Sequence, residues 1–266
     1  MSQADCAAGE LMPDRVLARL RTQRLGRPYR YLAVCPSTND VVREAAAEGA
    51  AEGLLVVANC QTAGRGRLGR TWHSPPGRIL YLSLLLRPEV PGQQAVPLTL
   101  LAGAALAQAL AQAGTVPHLR WPNDLLLPVD NQLRKAAGIL TEMASDGNAV
   151  RHIVLGVGLN VNGLDFPPEL AARATSLQQA AGRTFDRVHL LVDFLAAFET
   201  CYDDFLARGP GQGLRQWSRY ADFGQAYRIS RDGVEGVAVG LDDAGALLVR
   251  DAAGRIHRMY SGDIVS

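Results

Sequence analysis

The sequence predicts an α+β fold in which a mixed β-sheet carries packed helices and is followed by a small β-barrel of short antiparallel strands. Three observations point there. From Tyr29 onward, strand-like and helix-like segments alternate, the rhythm of mixed α and β structure. The helix-like segments are apolar on one face or throughout, so each must pack against another element. After Gly224 the texture changes to short runs separated by Asp232-Gly233, Gly245 and Gly254, which are hairpin signals. The expected divisions are an N-terminal helical extension (residues 1–28), a larger domain (29–220) and the small β module (221–266).

In chain order, Asp14 to Leu25 carries Val16, Leu17, Leu20 and Leu25 on one face and arginines on the other, an amphipathic stretch too short to fold alone. YRYLAV from Tyr29 reads as a strand, Thr38 to Glu48 as a helix, LLVVAN from Leu54 as a strand, and Ile79 to Leu86 as another. Pro97 to Ala113 is rich in Ala and Leu, with Pro near its start and Gly114 beyond its end, so it reads as a mostly buried helix. Strands are expected at His118 to Leu127, Lys135 to Met143 and Val150 to Val161. Over Val188 to Leu206, apolar residues recur at spacings of three and four, a stripe that signals core packing and not a site.

Composition excludes several classes. Twenty-seven basic residues against twenty-six acidic ones give a formal charge of +1, so any attraction to anions must be local. Runs such as ILYLSLLL are far shorter than the roughly 20 residues of a membrane helix, and the N-terminus lacks the basic and apolar regions of a signal peptide. A cytoplasmic protein is expected. Cys6, Cys35, Cys60 and Cys201 form no C-x-x-C pair, which argues against a zinc site or a disulfide framework.

The most informative stretch is QTAGRGRLGRTW, Gln61 to Trp72, which places Gly64, Gly66 and Gly69 among Arg65, Arg67 and Arg70. Glycine allows close backbone approach and arginine offers forked donors, so together they describe an anion cradle. The spacing also satisfies G-x-G-x-x-G, yet Pro75, Pro76 and Gly77 follow and forbid the crossover helix that a dinucleotide fold requires. A P-loop fails as well, since no Gly-Lys-Ser or Gly-Lys-Thr is present. Alone, the loop also reads as an arginine-bearing surface turn. Likewise Pro36 to Asp40 reads as an ordinary N-cap, Arg120 to Leu127 as a turn and strand, Lys135 as a solvated lysine, and Gly156 to Asn160 as a twisting strand. Their occurrence in this order and spacing is what separates them from chance.

With those segments in view, the chain resembles the biotin protein ligases from Ser37 to the C-terminus. The family's glycine-arginine loop appears as Gly64 to Arg70, its K-W-P-N-D segment as Arg120 to Asp124, its K-x-x-G-I-L segment as Lys135 to Leu140, and its G-x-G-x-N strand as Gly156 to Asn160. Two departures stand out: Leu68 where another arginine is common, and Arg120 where lysine is. The resemblance implies a class II synthetase-like catalytic domain with an SH3-like C-terminal barrel, of the monofunctional type without an N-terminal DNA-binding domain. Its implied reaction is activation of biotin by ATP as biotinyl-5'-AMP, then transfer to a lysine of a biotin carboxyl carrier domain.

Implied site residues follow. Ser37, Thr38, Asn39 and Gln61, with Gly64, Arg65 and Gly66, would hold biotin, whose buried ureido ring needs partners for one acceptor and two donors. Arg67 and Lys135 would be catalytic, neutralising biotin's carboxylate and the α-phosphate as they approach. Arg70, Trp72, Asn123, Asp124 and Asn160 would complete the ATP and adenylate site, with Asp124 as the candidate Mg²⁺ ligand. A lipoate ligase is the nearest rival, but the loop reads GRGRLGR in place of RR-x-x-GG. A nucleic-acid-binding regulator is the other; only 36 residues precede Ser37, too few for a helix-turn-helix reader with its supports, so no nucleic acid partner is expected. A homodimer stays open.

Overall fold

The structure is a computed structural model that describes residues 10–73, 75–224, 226–229, 234–260 and 264–265. Cys6 and the expected Asp232-Gly233 turn lie outside the described residues. Short helix α1 (Pro13–Leu17) leads into β1 (Tyr29–Leu32), α2 (Thr38–Ala47), β2 (Leu55–Ala58) and β3 (Ile79–Leu86). Next come α3 (Gly92–Ala95), α4 (Leu98–Gln112), β4 (His118–Arg120), β5 (Asp124–Val129), β6 (Gln132–Asp146) and β7 (Ala149–Asn160). Helices α5 (Pro168–Ala171), α6 (Leu177–Ala181), α7 (Arg187–Arg208) and α8 (Gly211–Tyr220) follow. Strands β8 (Ala226–Ile229), β9 (Val234–Leu241), β10 (Leu247–Arg250), β11 (Ile256–Met259) and β12 (Ile264–Val265) close the chain.

The first seven strands form one mixed sheet in the order β1-β2-β3-β7-β6-β5-β4, with β1 parallel to β2 and every other neighbour antiparallel. Period-two alternation assigns the faces. On β3, Leu80, Leu82, Leu84 and Leu86 enter the main core beside residues of α4 and α7, whereas Tyr81 and Leu85 join smaller clusters with Val41 and Val42 of α2. The α7 stripe behaves as expected: Phe194, Phe198, Tyr202 and Phe205 stack successively, with ring centroids 5.8, 6.0 and 6.3 Å apart. The span Gly92–Gln112 is long and apolar enough to cross a membrane by length and composition. Nearly all of α4 is buried in the core, however, which is how a central helix of a packed domain reads.

Several elements differ from the sequence reading; the short helices α3, α5 and α6 have no counterpart in it, and three further differences bear on the architecture. The N-terminal helix ends at Leu17 and does not reach Leu25. Backbone N–H groups of Gln23, Arg24 and Leu25 instead donate to the Glu199 carboxylate of α7 at 2.8 Å each, while Leu11, Val16, Leu20 and Leu25 still enter the main core. The expected strand over His118 to Leu127 is a hairpin, since Trp121 to Asn123 turn the chain between β4 and β5. Helix α8 has no counterpart in that reading, because Gly209, Pro210, Gly211 and Gly213 gave its start the look of a loop.

The last five strands form an antiparallel sheet in the order β11-β10-β9-β8-β12, the SH3-like module. No pairing between β11 and β12 closes it among the described residues. Its turn is fastened to the seven-stranded sheet by Trp121 Nε1, which donates to the Gly245 carbonyl at 3.1 Å.

Candidate active site

The residues singled out by the motifs converge on one cavity of about 900 Å³ over the α2 side of the sheet. At its β3 side lies the start of α2. Ser37 is the N-cap residue, yet its side chain makes no capping hydrogen bond, so its hydroxyl is not spent on the helix end. The Gln61 carboxamide oxygen accepts from the Thr38 amide at 2.7 Å and from the Thr38 hydroxyl at 3.2 Å. Ser83 of β3 places its hydroxyl 2.7 Å from Thr38 Oγ1 and donates to Asn39 Oδ1 at 2.6 Å, while Asn39 Nδ2 donates to Glu142 at 2.6 Å. Ser37, Thr38 and Asn39 are all buried. These bonds hold the Thr38, Asn39 and Gln61 side chains in fixed directions inside the cavity wall.

Across β7, on β6, lies Lys135. A strand residue and the one three positions on point to opposite faces, so K-x-x-G should split Lys135 from Gly138. The register shift between β5 and β6 solves this: Leu125 pairs with Ala137 and Leu126 with Lys135, leaving Ala136 as an extra residue. Lys135 is thereby brought to the cavity face, where its Nζ is 2.6 Å from Asp124 Oδ1 and 5.4 Å from the centre of the Trp72 ring. Its backbone is held by Arg173, whose carbonyl accepts the Lys135 amide at 2.7 Å.

The glycines of two motifs have a packing role. A Cβ on Gly138 would meet Trp72 at 2.9 Å, and one on Gly158 would meet it at 2.8 Å, so both must be bare for the indole to lie flat on the sheet. Gly156 plays the same part beneath Asn39. The glycine-arginine loop then crosses the cavity mouth. Trp72 N–H donates to the Gly64 carbonyl at 2.9 Å and Gly66 N–H to the Arg70 carbonyl at 2.7 Å, which cinches the loop at its base. Arg67 Nη1 donates to Asn123 Oδ1 at 3.3 Å, and Asn123 in turn donates to the Ile139 carbonyl at 2.9 Å.

Every site residue expected from the sequence except Gly64 lines the cavity. Arg65 lines it while its guanidinium is held by Asp40 of α2 at 2.5 Å. Asn160 is buried, with its Nδ2 donated to the Thr175 carbonyl at 2.9 Å. Asp124, the candidate metal carboxylate, is the ion-pair partner of Lys135. Among the described residues no cluster of three or more His, Cys, Asp or Glu side chains stands ready for a metal. Sequence reasoning missed Ser83 and Glu142, which brace Asn39, and Phe166 and Arg173, which wall the cavity from the segment after β7. Alternation along β3 would have flagged Ser83 as a lone polar residue among leucines; nothing flagged Arg173. Cys35 stands two residues before Ser37, and burial, with lesser contributions from Cys60 and Asp40, pushes its thiol up to about 11. It stays protonated near neutrality and is no nucleophile.

Fold and cavity together bring neutral hydrogen-bonding groups and cationic side chains into one site on a mixed sheet. Residues 31–160 match the biotin/lipoate A/B protein ligase family, and residues 228–265 match the biotin protein ligase C terminal domain. The chain is 40% identical over 262 residues to the bifunctional ligase/repressor BirA of Bacillus subtilis, covering 96% of this chain and 79% of that protein. It is 34% identical over 260 residues to the biotin--[acetyl-CoA-carboxylase] ligase of Mycobacterium tuberculosis, covering 92% and 93%. Among solved structures, the biotin protein ligase of Aquifex aeolicus in complex with biotin and ATP superposes with a TM-score of 0.75 at 29% identity, covering 88% of this chain and 96% of that one. The chain belongs to the biotin protein ligase family and is a ligase.

Proposed function

We propose that this protein condenses biotin with ATP to biotinyl-5'-AMP, releasing pyrophosphate, and then passes the biotinyl group to a lysine of a biotin carboxyl carrier domain. The observation that carries this reading is the shape of the charge in one cavity. Neutral hydrogen-bonding groups of Thr38 and Gln61 sit on the β3 side, and the cations Arg67 and Lys135 sit beyond β7. Biotin has that same polarity, a neutral ureido ring at one end and a carboxylate at the other.

In the first step the biotin carboxylate attacks the α-phosphorus, forming the acyl–phosphate bond and expelling pyrophosphate. Two anions meet there, so Lys135 and Arg67 lower the barrier by neutralising charge that develops between them. Lys135 must exchange Asp124 for substrate oxygens to do so. Asp124 would hold a Mg²⁺, which would supply further charge neutralisation at the phosphates. Asp124, lining the cavity as the lone motif carboxylate, suits a metal that keeps most of its ligands as water and phosphate. Asn160 and the face of Trp72 receive the adenine, and Arg70 flanks the phosphates. In the second step the acceptor amine attacks the acyl carbon and AMP leaves; this mixed anhydride is already activated, so positioning and exclusion of water suffice.

Support for a carrier domain as acceptor comes from the relatives named for acetyl-CoA-carboxylase. Dependence on ATP accords with a cytoplasmic site of action, and homodimer formation is not required by this chemistry. The test is pyrophosphate release from the purified chain with ATP plus biotin, run beside ATP plus lipoate. Release with biotin alone, followed by labelling of a carrier domain, is the expected result; release with lipoate alone would overturn the reading.

A further inference from the structure

Leu68 lies at the centre of the glycine-arginine loop, in a 3-10 turn Arg67–Gly69, with φ 56° and ψ 33°. That is the left-handed region, which a leucine disfavours. Its side chain is 76% exposed, the highest value among the large apolar residues described. An isolated apolar side chain on a surface needs no explanation, but this one forms the rim of a second cavity of about 290 Å³. Val96, Pro97 and Leu100 at the start of α4 supply one wall, Trp121 and Pro122 of the β4–β5 turn another, and Ala244 to Ala246 of the C-terminal module the third. Most of its lining residues are apolar, with Thr99 and Thr141 among the polar ones, and the volume exceeds that of a leucine side chain. This cavity also touches Arg67 and Asn123, which belong equally to the substrate cavity.

We propose that Leu68 is the latch of the loop: once biotinyl-adenylate has formed, its side chain enters this junction cavity and so holds Arg67 over the acyl phosphate. The inference rests on the function proposed above and adds to it a positioning residue that never touches substrate. Adjacent in sequence, Leu68 and Arg67 cannot move independently, so seating the one fixes the other. Because one wall comes from the residues around Gly245, the latch also makes retention of the intermediate depend on the C-terminal module, which the Trp121–Gly245 hydrogen bond fastens in place. A loop that rests in a disfavoured conformation with its apolar side chain in water has less to lose on closing than one already packed.

The experiment loads the full chain with biotin and ATP, removes free ligand and follows the dissociation of bound adenylate, with calorimetry of biotin alone in parallel. Losing the burial of a leucine predicts about tenfold or faster dissociation for Leu68→Ala, with biotin binding in the absence of ATP changed less than twofold. Val96→Ala, on the exposed cavity rim, should speed dissociation severalfold, and the double variant should fall short of the product of the two effects. Unchanged dissociation in Leu68→Ala overturns the latch. So does an equal weakening of biotin alone, which would mean that Leu68 shapes the resting site, and so does strict additivity with Val96→Ala. If the wild-type chain accumulates no adenylate at all, the functional reading itself falls and the latch falls with it.

Discussion

Replacing Gly156 with alanine adds one methyl group at the point where α2 comes nearest the sheet. The new Cβ would stand 3.0 Å from Asn39 Cγ and 3.1 Å from its Nδ2, and closer still to the carboxamide oxygen. Asn39 cannot swing away cheaply, because it is buried and held between the Ser83 hydroxyl and Glu142. Overpacking of a closed interior costs about 1–3 kcal/mol, and unmaking one buried hydrogen bond costs a similar amount. Relief therefore comes from displacing α2 or breaking the Ser83–Asn39 bond, and either choice disturbs Thr38, which shares Ser83. Gly156→Ala should lower stability by about 1–3 kcal/mol and, at the lower end of that range, weaken biotin about fivefold. Thermal melts and biotin calorimetry on the same preparations read both effects. Adding Asn39→Ala makes room for the methyl and should restore much of the melting temperature without restoring affinity. A Gly156→Ala variant that melts and binds like wild type would refute the placement of Asn39 against this strand.

Three further outcomes are expected. Thr38→Ala should weaken biotin about fivefold or more by calorimetry, since it leaves Gln61 and the ureido ring short of a partner; unchanged binding would move the ring elsewhere. Lys135→Ala should slow single-turnover pyrophosphate release on the order of 10² to 10³-fold while biotin affinity changes less, because the loss falls on the transition state. Arg67→Ala should slow that step and also raise biotin labelling of a bystander protein as adenylate escapes; a wild-type labelling blot would remove Arg67 from its role. Asp186 caps α7: burial alone would raise its pKa, but hydrogen bonds from the His189 and Val188 amides and from Arg19 outweigh this and hold it below the ordinary 3.8. Its folded-state pKa is depressed, so its stabilisation is present above that ordinary value and lost as pH falls through the lowered one. Asp186→Ala should cost about 1 kcal/mol at pH 7, and urea titrations should show the gap to wild type narrowing below pH 4.

How much could be read from residues alone depended on whether one local interaction decided each element. Ile79 to Leu86 matches its strand end to end, because seven apolar residues around Ser83, bounded by Arg78 and Arg87-Pro88, leave no other economical burial. Thr38 and Leu98 start their helices as the polar and proline signals before them suggested. The motif residues likewise reached one cavity, since each occupies a strand end, a helix start or the loop between, and the sheet gathers those positions. What stayed hidden was set by partners distant in sequence. Glu199 took the N–H groups that would have continued α1, Asp124 took Lys135, and Asp40 took Arg65. The extra residue Ala136 was invisible too, although a lysine and a glycine three apart, both required on one face of a strand, imply a bulge.

If one cavity orients biotin by its two ends, a structure determined with biotin and ATP bound will show it. The ureido ring is expected within hydrogen-bond reach of Thr38 and Gln61. The acyl phosphate is expected beside Arg67, and Lys135 turned from Asp124 toward substrate oxygen. A ligand bound in the opposite sense, with its carboxylate at Thr38 and its ring at Lys135, or lodged outside this cavity, would contradict this arrangement.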